Sequence, residues 1–337
     1  MKPRVKTKQP ISTMNAGTKT IDWLYSEQLR VDAEWSIKTA NGFVWWADSN
    51  AQTVEVIGEE TDEKCGTAWL VSVRTDFLRN VEATDSTLEK LSLMLAPVAS
   101  MVGPVFDEDT GTVALCSLVR VHEGNREWMA PLISVAAALQ IGEARIAGPG
   151  IAKILGAEPA ESGHPENGRR PEPDEIAELI ANLIEPLGRE SSSWSALEFV
   201  NMDKNYLQGP PAVLATCGAK GFTAEFPFGK STSLLQVMND QPHPRYGNGL
   251  FVLQSFKLRK LSTAEGTRLA LALNAEELTR CPLGYGYGSY CFRDEALNFV
   301  TFIPNVAHNS VLLPNLYLAC ASRSSALDQR LAPFLPS

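Results

Sequence analysis

The chain has 337 residues, of which 44% are hydrophobic and 20% charged, and its formal net charge at neutral pH is −9. The length exceeds what a single hydrophobic core normally serves, and the composition is that of a globular protein. The negative charge excludes the broad basic surface that nucleic-acid binding requires. We therefore expect two globular domains and no nucleic-acid partner.

Basic residues are concentrated at the N-terminus, in MKPRVKTK. No apolar core of a signal peptide follows, so residues 1–19 are interpreted as a disordered basic tail and the expected location is the cytoplasm. The longest uncharged stretch, 91–106, is shorter than the ~20 residues that span a bilayer, which predicts no membrane insertion. The six cysteines lack C-x-x-C spacing, which favours reduced thiols over disulfides or zinc.

The first half contains helix and strand signals in a clear order. Apolar residues Ile21, Leu24 and Tyr25 have helical spacing, and the β-rich runs GFVWWAD, TVEVIG and AWLVSVR follow. Ser86 and Glu89 then form a capping-box pattern that predicts the start of a second helix. A predicted hairpin, PVFDEDTGTVALCSLVRV, precedes the apolar helix PLISVAAALQ.

A segment rich in proline, glycine and charge divides the chain near its middle. We assign residues 157–173 to this linker, with one domain over 20–156 and another over 174–335. The composition predicts an exposed and mobile connection.

The second half repeats the order of the first. A helix is predicted over 176–183, and the strand-like runs AVLATC, FTAEF, SLLQVM and LFVLQSF follow it. Ser262 and Glu265 repeat the capping box 176 residues after Ser86, before the predicted hairpin GSYCFRDEALNFVTFI and the helix LPNLYLACA. This agreement predicts a tandem duplication and therefore a pseudo-dimer within one chain.

The stretch LGYGYGSYC, 283–291, resembles a phosphate-binding loop in its glycine content only. Neither glycine frame completes G-x-G-x-x-G, and no Lys-Ser or Lys-Thr follows. We interpret Tyr285 and Tyr287 as part of the rising strand of the second hairpin, with glycines that permit close approach of another backbone.

Four segments together resemble the type III secretion chaperone-like fold, and within it the YbjN family of bacterial sensory transduction regulators. They are GTAWLVSVRTDFLR, GNREWMAPLISVAAALQ, LALALNAEELTR and GSYCFRDEALNFVTFIPN. The resemblance implies an α+β fold, with two tandem copies of an antiparallel sheet flanked by helices in the order α-β-β-β-α-β-β-α. It also implies a role in binding polypeptides or in regulation, without catalysis. The chain differs in carrying both copies covalently, which leaves self-association into a homo-oligomer open.

The sequence contains no recognisable catalytic or metal-binding motif. The histidines are scattered without a metal-type partner at helical spacing, and the acidic run at Asp107, Glu108 and Asp109 fits a solvated hairpin turn better than a cation site. No G-x-S-x-G elbow is present. We therefore expect no catalytic residues, no metal and no cofactor.

Two aromatic sets are the candidate protein-binding residues. Trp45 and Trp46 are adjacent, so that in a strand one indole faces away from the core. The other set is Tyr285, Tyr287 and Tyr290. Because exposed aromatic side chains are typical interface anchors, we expect at least one set to face solvent.

The leading hypothesis from the sequence is a non-enzymatic, chaperone-like or regulatory module that binds another polypeptide. One alternative is an enzyme or small-molecule sensor with its site between the two domains, where pockets commonly form. Another is a structural subunit of a larger assembly.

Overall fold

The computed structural model of the chain describes residues 14–63, 65–95, 100–177 and 194–335. The first half contains α1 (Ala16–Trp23), β1 (Ser36–Lys38), β2 (Gly42–Trp45), β3 (Gln52–Asp62), β4 (Gly66–Arg79), α2 (Asp85–Leu95), β5 (Gly103–Asp107), β6 (Thr112–Val121), α3 (Arg126–Ile146), α4 (Gly148–Leu155) and β7 (Glu158–Pro159). The second half contains α5 (Ala196–Met202), β8 (Leu214–Gly218), β9 (Gly221–Phe228), β10 (Ser231–His243), β11 (Gly247–Lys257), α6 (Thr263–Thr279), β12 (Ser289–Arg293), β13 (Ala296–Pro304) and α7 (Leu312–Arg330).

The strands form two antiparallel sheets with the same internal order. The first sheet runs β1-β2-β3-β4-β6-β5, with β7 paired to the end of β4, and the second runs β8-β9-β10-β11-β13-β12. The expected α+β class with two antiparallel sheets is therefore confirmed, and the shared order is consistent with an internal duplication. Each half has four strands before its central helix. The predicted repeat order contained three, and in the first half β1 was not predicted, whereas the four runs identified in the second half correspond to β8–β11.

A long apolar helix packs on the inner face of each sheet, α3 on the first and α7 on the second. A buried glutamine in each sheet ties the helix in place: the Gln52 amide donates to the Ala137 carbonyl, and the Gln254 amide donates to the Cys320 carbonyl, each at 2.9 Å. Helix α3 is long and apolar enough to cross a membrane, but 72% of its most apolar window is buried in the fold. Such burial is typical of the core helix of a soluble protein.

The two central helices begin with different caps. Ser262 and Glu265 form the expected capping box at the start of α6, which confirms that prediction. The prediction for Ser86 is wrong, because Ser86 lies inside α2, one residue after its start at Asp85. The Thr84 hydroxyl takes the capping role and accepts a hydrogen bond from the Thr87 backbone N–H at 3.2 Å.

The halves share apolar clusters across their junction. Leu278 of α6 packs with Val105, Ala114 and Cys116 of the first sheet, and Leu271 packs into a cluster of the first half. Helix α2 in turn lies against α6 and β12. Each central helix therefore contacts the sheet of the opposite half.

Backbone hydrogen bonds attach part of the segment 157–173 to the first half, while residues 165–169 and 171–172 are exposed as expected. Its backbone pairs with β4, Ala160 N–H donates to the Phe77 carbonyl at 2.9 Å, and Ser162 N–H donates to the Ser49 carbonyl at 2.8 Å. The composition of this segment correctly indicated irregular structure. It did not indicate which partners its backbone N–H and C=O groups would bond with. Residues 16–19, assigned to the tail, belong to α1, and the predicted helix over 176–183 lies mostly outside the described residues.

Cutting the chain between the halves should leave them associated. We expect a variant with a specific protease site inserted between residues 191 and 192 to remain at the mass of the intact chain after cleavage, because α2 and α6 pack across the junction. Size-exclusion chromatography with light scattering checks this. Fragments that separate without denaturant would contradict the shared core, and uncut protein is the control.

Candidate functional site

Both tryptophans of the first candidate set are buried, and of the tyrosine set only Tyr285 is partly exposed, so the expectation that at least one set faces solvent is wrong. Trp45 is fully buried, and its indole N–H donates to the Gln52 side-chain carbonyl at 2.9 Å. Trp46 follows the last residue of β2 and lies outside the main core cluster, where the linker covers it. Its indole N–H donates to the Ser162 hydroxyl at 3.0 Å, and the His164 ring packs edge-on at 5.2 Å.

Two of the tyrosines lie at the junction of the halves. Tyr285 and Tyr287 precede β12 instead of forming part of it, which corrects the strand assignment. Tyr285 is half-buried and packs edge-on against Trp128 of α3, with ring centroids 5.8 Å apart, and the buried Tyr287 hydroxyl contacts the Met129 sulfur at 3.6 Å. These side chains do contact a protein surface, and that surface is the first half of the same chain.

The glycine between them makes the close backbone approach that the sequence predicted. Gly286 has φ of +61°, and a Cβ at this position would lie 1.8 Å from the Leu118 carbonyl oxygen. No side chain fits there, so glycine is required at this contact between the halves.

Tyr290 is a core residue at the start of β12. Its hydroxyl donates to the Glu277 carboxylate at 2.5 Å, and Arg323 pairs with the same carboxylate at 2.6 Å. The Arg323 guanidinium also lies 3.5 Å from the centroid of the Phe299 ring. Tyr290 therefore completes a buried ion pair and offers no surface to a partner in this fold.

No metal centre is assembled in the described part of the chain: no three histidine, cysteine or carboxylate side chains there come close enough to hold an ion. Asp107 instead shapes its hairpin turn, accepting a hydrogen bond from the Asp109 N–H at 3.0 Å. His308 lies 3.1 Å from the Glu198 carboxylate, and its ring packs against Trp194.

Exposed apolar side chains are distributed unevenly between the halves. Of the fifteen large hydrophobic residues exposed in the described ranges, ten belong to the second half. Five of these ten surround α5 and the edge strand β8: Leu197 (67% exposed), Val200 (58%), Tyr206 (40%), Val213 (66%) and Leu214 (57%). We refer to these five residues as the α5–β8 surface.

The buried side of α5 matches that of α1 at a spacing of 178 residues: Phe199 replaces Ile21 and Met202 replaces Leu24. Beyond the helices, Leu207 replaces Leu29 at the same spacing, and all six residues are buried.

The exposed side differs between the halves. At the same spacing, Leu197, Val200 and Tyr206 replace polar residues of the first half. The polar counterparts are Lys19, Asp22 and Gln28. The shared core explains the conserved positions, but it does not require apolar residues on the solvent side of α5.

Strand β8 forms an edge of the second sheet and hydrogen-bonds only with β9 among the described strands. It has five residues, whereas β1 at the same place in the first sheet has three. The outer side of an edge strand presents N–H and C=O groups that another extended chain can pair with. The candidate binding residues chosen from the sequence were all aromatic, so this surface was not among them. Aligning the two halves at a spacing of 178 residues would have shown apolar residues of the second half at positions that are polar in the first.

A buried carboxylate of the first half forms hydrogen bonds with residues of the second half. Glu143 of α3 is inaccessible to solvent, accepts hydrogen bonds from Arg245 at 2.5 Å, and also accepts one from the Tyr246 hydroxyl. Burial raises the pKa of Glu143, against the lowering effects of Arg245 and Tyr246. Burial, together with the adjacent carboxylate, holds the pKa of Tyr246 well above its ordinary value.

The described part of the chain includes two shallow cavities. One, of about 190 Å³, lies between α1 and the β1–β2 hairpin and is lined by first-half residues that include Asp22, Tyr25 and Lys38. The other, of about 220 Å³, is lined by second-half residues of β10, β11 and β13 and of the turn after β10. Neither cavity has lining residues from both halves.

Comparison of the chain with protein-family models, with curated proteins and with solved structures finds no match in any of the three.

Removing the Glu143 carboxylate should destabilise the protein strongly. We expect Glu143→Ala to lower the free energy of unfolding by about 3–5 kcal/mol, because Arg245 and Tyr246 lose their buried partner. Glu143→Gln keeps an acceptor of the same shape for the Tyr246 hydroxyl but removes the charge that pairs with Arg245, so its cost should be smaller than that of Glu143→Ala. Urea denaturation of the three proteins measures this, and equal losses for both variants would contradict it.

The same carboxylate should make stability depend on pH. The pKa of Glu143 is higher in the folded protein than in the unfolded chain. At pH values between these two pKa values, the folded protein therefore binds more protons than the unfolded chain does. Stability from this group is therefore greatest below the unfolded pKa and declines as pH rises through the folded pKa. We expect the free energy of unfolding, measured relative to Glu143→Gln, to fall with increasing pH over this interval; a rise would contradict the sign.

Proposed function

We propose that this chain is a non-enzymatic protein that binds another polypeptide through the α5–β8 surface. The observation that carries the proposal is the contrast between the halves: apolar side chains stand exposed on α5 where α1 has polar ones, although the buried positions agree. Several large apolar side chains exposed around one helix and the neighbouring edge strand favour an interaction site there.

The chemistry of the surface suits an extended, apolar polypeptide. Backbone groups at the free side of β8 can pair with an added strand, which gives affinity without sequence preference. Val213 and Leu214, at the start of that strand, and Leu197 on α5 would contact the partner's apolar side chains and so select for them. The aromatic residues favoured by the sequence have less support, and only Tyr285 retains partial exposure.

We further propose that the fold belongs to the type III secretion chaperone-like class, with a chaperone-like or regulatory role in the bacterial cytoplasm, as the YbjN family resemblance implies. Two antiparallel sheets of matching order, each flanked by helices, support this proposal. A structural subunit that uses the same surface is a variant of the same proposal. The alternative, an enzyme or small-molecule sensor with a site between the halves, draws no support from the two cavities, because each is lined by one half.

Replacing the exposed apolar residues of α5 and of the turn after it by their first-half counterparts tests the function. We expect the variant Leu197→Lys, Val200→Asp, Tyr206→Gln to lose the polypeptide that co-purifies with the native chain, with affinity reduced by about 2 kcal/mol or more. Its melting temperature should change little, because exposed substitutions typically cost within ~0.5 kcal/mol each. Quantitative co-purification from native cells and thermal unfolding provide the measurements.

The matched control is Asp22→Ala with Gln28→Ala, which alters the same face of the first half and should leave co-purification intact. A co-purifying metabolite with no stoichiometric polypeptide would contradict the proposal and favour the alternative. Equal loss of the polypeptide in the control would also contradict the assignment to α5.

A further inference from the structure

The cavity of about 220 Å³ in the second half is walled mainly by rings. It lies on the outer face of the second sheet, beneath the turn that follows β10. Its lining residues are Met238, Gln241, Pro242, His243, Pro244, Phe251 and Phe302. The His243 ring stacks on Tyr246 at 4.5 Å and packs against Phe302 at 4.7 Å. Its Nδ1 accepts hydrogen bonds from the Arg245 and Tyr246 backbone N–H groups, which fixes the ring in the wall.

The floor of the cavity is one cross-strand row, because Met238 pairs with Phe251 and Phe251 pairs with Phe302. In the first sheet two cross-strand rows lie on the same face of β3, β4 and β6, namely Glu55–Ser72–Leu118 and Gly58–Leu70–Arg120, and neither contains an aromatic residue. The side chain of Arg120 is committed there, because it pairs with Glu60 and donates to the Pro282 carbonyl. The ring-lined floor is therefore specific to the second half.

The size of the cavity limits what can enter it. Sites for drug-sized ligands and cofactors occupy about 300–1,000 Å³. At about 220 Å³ this cavity suits a single ring. Aromatic rings and the methionine sulfur both make favourable contacts with an inserted aromatic ring, beyond the area they bury.

The cavity lies on the same sheet face as the exposed residue Leu234 (39% exposed), which is on β10 with Met238 (36% exposed). Gln236 lies between these two residues, and Glu225 of β9 lies between Leu234 and Leu214 of β8. On the other side, the Phe302 carbonyl accepts a hydrogen bond from Ser100, so the cavity borders the junction of the halves. A chain bound at β8 can thus reach the cavity across the outer face of the second sheet.

We propose that this cavity binds one aromatic side chain of the polypeptide partner. The proposal rests on the proposed polypeptide-binding function and adds a chemical requirement to it: the partner carries an aromatic residue beyond the segment that contacts β8. The anchor side chain enters the ring-lined cavity, and the edge strand and α5 hold the remaining chain.

Small amides that mimic single side chains test the cavity directly. The probes are N-acetyl-phenylalaninamide, N-acetyl-tryptophanamide and, as an aliphatic comparison, N-acetyl-leucinamide, added to full-length protein with ¹³C-labelled methionine methyl groups. We expect saturable shifts of the Met238 methyl signal, assigned with Met238→Leu, and about two- to tenfold tighter binding of the aromatic amides. No shift, or equal affinity for the leucine amide, would overturn the proposal.

A matched pair of variants locates the binding. Met238→Trp fills the cavity, whereas Leu234→Trp adds the same bulk on the same strand and face outside it. We expect saturation transfer to the aromatic amides to disappear in Met238→Trp and persist in Leu234→Trp, with melting temperatures of both near that of the native protein. Transfer that persists in Met238→Trp would overturn the assignment.

Co-purification separates this proposal from the function on which it rests. If the α5 variant loses the polypeptide and Met238→Trp retains it at native affinity, the proposed function stands and the anchor proposal is wrong. If no polypeptide co-purifies with the native chain, the proposed function is wrong. The proposal that the cavity binds an aromatic side chain of a polypeptide partner is then wrong as well, even if the aromatic amides bind. Loss in both variants, with retention in Leu234→Trp, supports both.

Discussion

The structure depends on the burial of part of each sheet's outer face, at β5 and β6 of the first sheet and at β12 of the second, by a helix of the opposite half. Leu278 of α6 packs against Val105 and Cys116 of the first sheet, and α2 lies against β12 of the second. Neither half supplies these contacts itself, so each sheet would expose apolar surface to water if the other half were absent. The same constraint explains Gly286, where the Leu118 backbone approaches so closely that no side chain fits.

Mutual burial also determines which surfaces remain free. The junction occupies the β5–β6 side of the first sheet and the β12–β13 side of the second, while the opposite edges, β1 and β8, point away from it. Duplicated halves that bury the same regions would leave the same regions exposed. The two halves differ there in chemistry, since α1 and the residues after it present Lys19, Asp22 and Gln28, whereas α5 and the residues after it present Leu197, Val200 and Tyr206. The core and junction explain the matching positions, and a partner on one half would explain the difference.

The sequence predicted those features that depend on local signals. Alternation of apolar residues and the acidic turn indicated both hairpins, and Ser262 with Glu265 indicated the start of α6, because these interactions join residues a few positions apart. Thr84 and Ser86 both present hydroxyl groups near the start of α2, and only the backbone geometry selects Thr84. Trp46 shows the larger limit: the sequence correctly places its indole outside the main core cluster, but only the tertiary fold places Ser162 and His164 over it. The α5–β8 surface escaped notice for a similar reason, since exposed and buried apolar residues look alike until the halves are compared.

Buried charge sets the relative orientation of the halves, whereas apolar contacts supply most of the driving force. The second half pairs Glu277 with Arg323 inside its own core, so that pair is satisfied wherever the first half lies. Glu143 differs, because its partners Arg245 and Tyr246 come from the other half. An apolar interface tolerates small rotations, since burial is not directional. A rotation that separates a fully buried carboxylate from its hydrogen-bond donors is not tolerated. An unpaired buried charge is far more costly than a lost apolar contact. The turn that carries Arg245 and Tyr246 also forms a wall of the ring-lined cavity through His243, so the interaction that orients the halves fixes that wall as well.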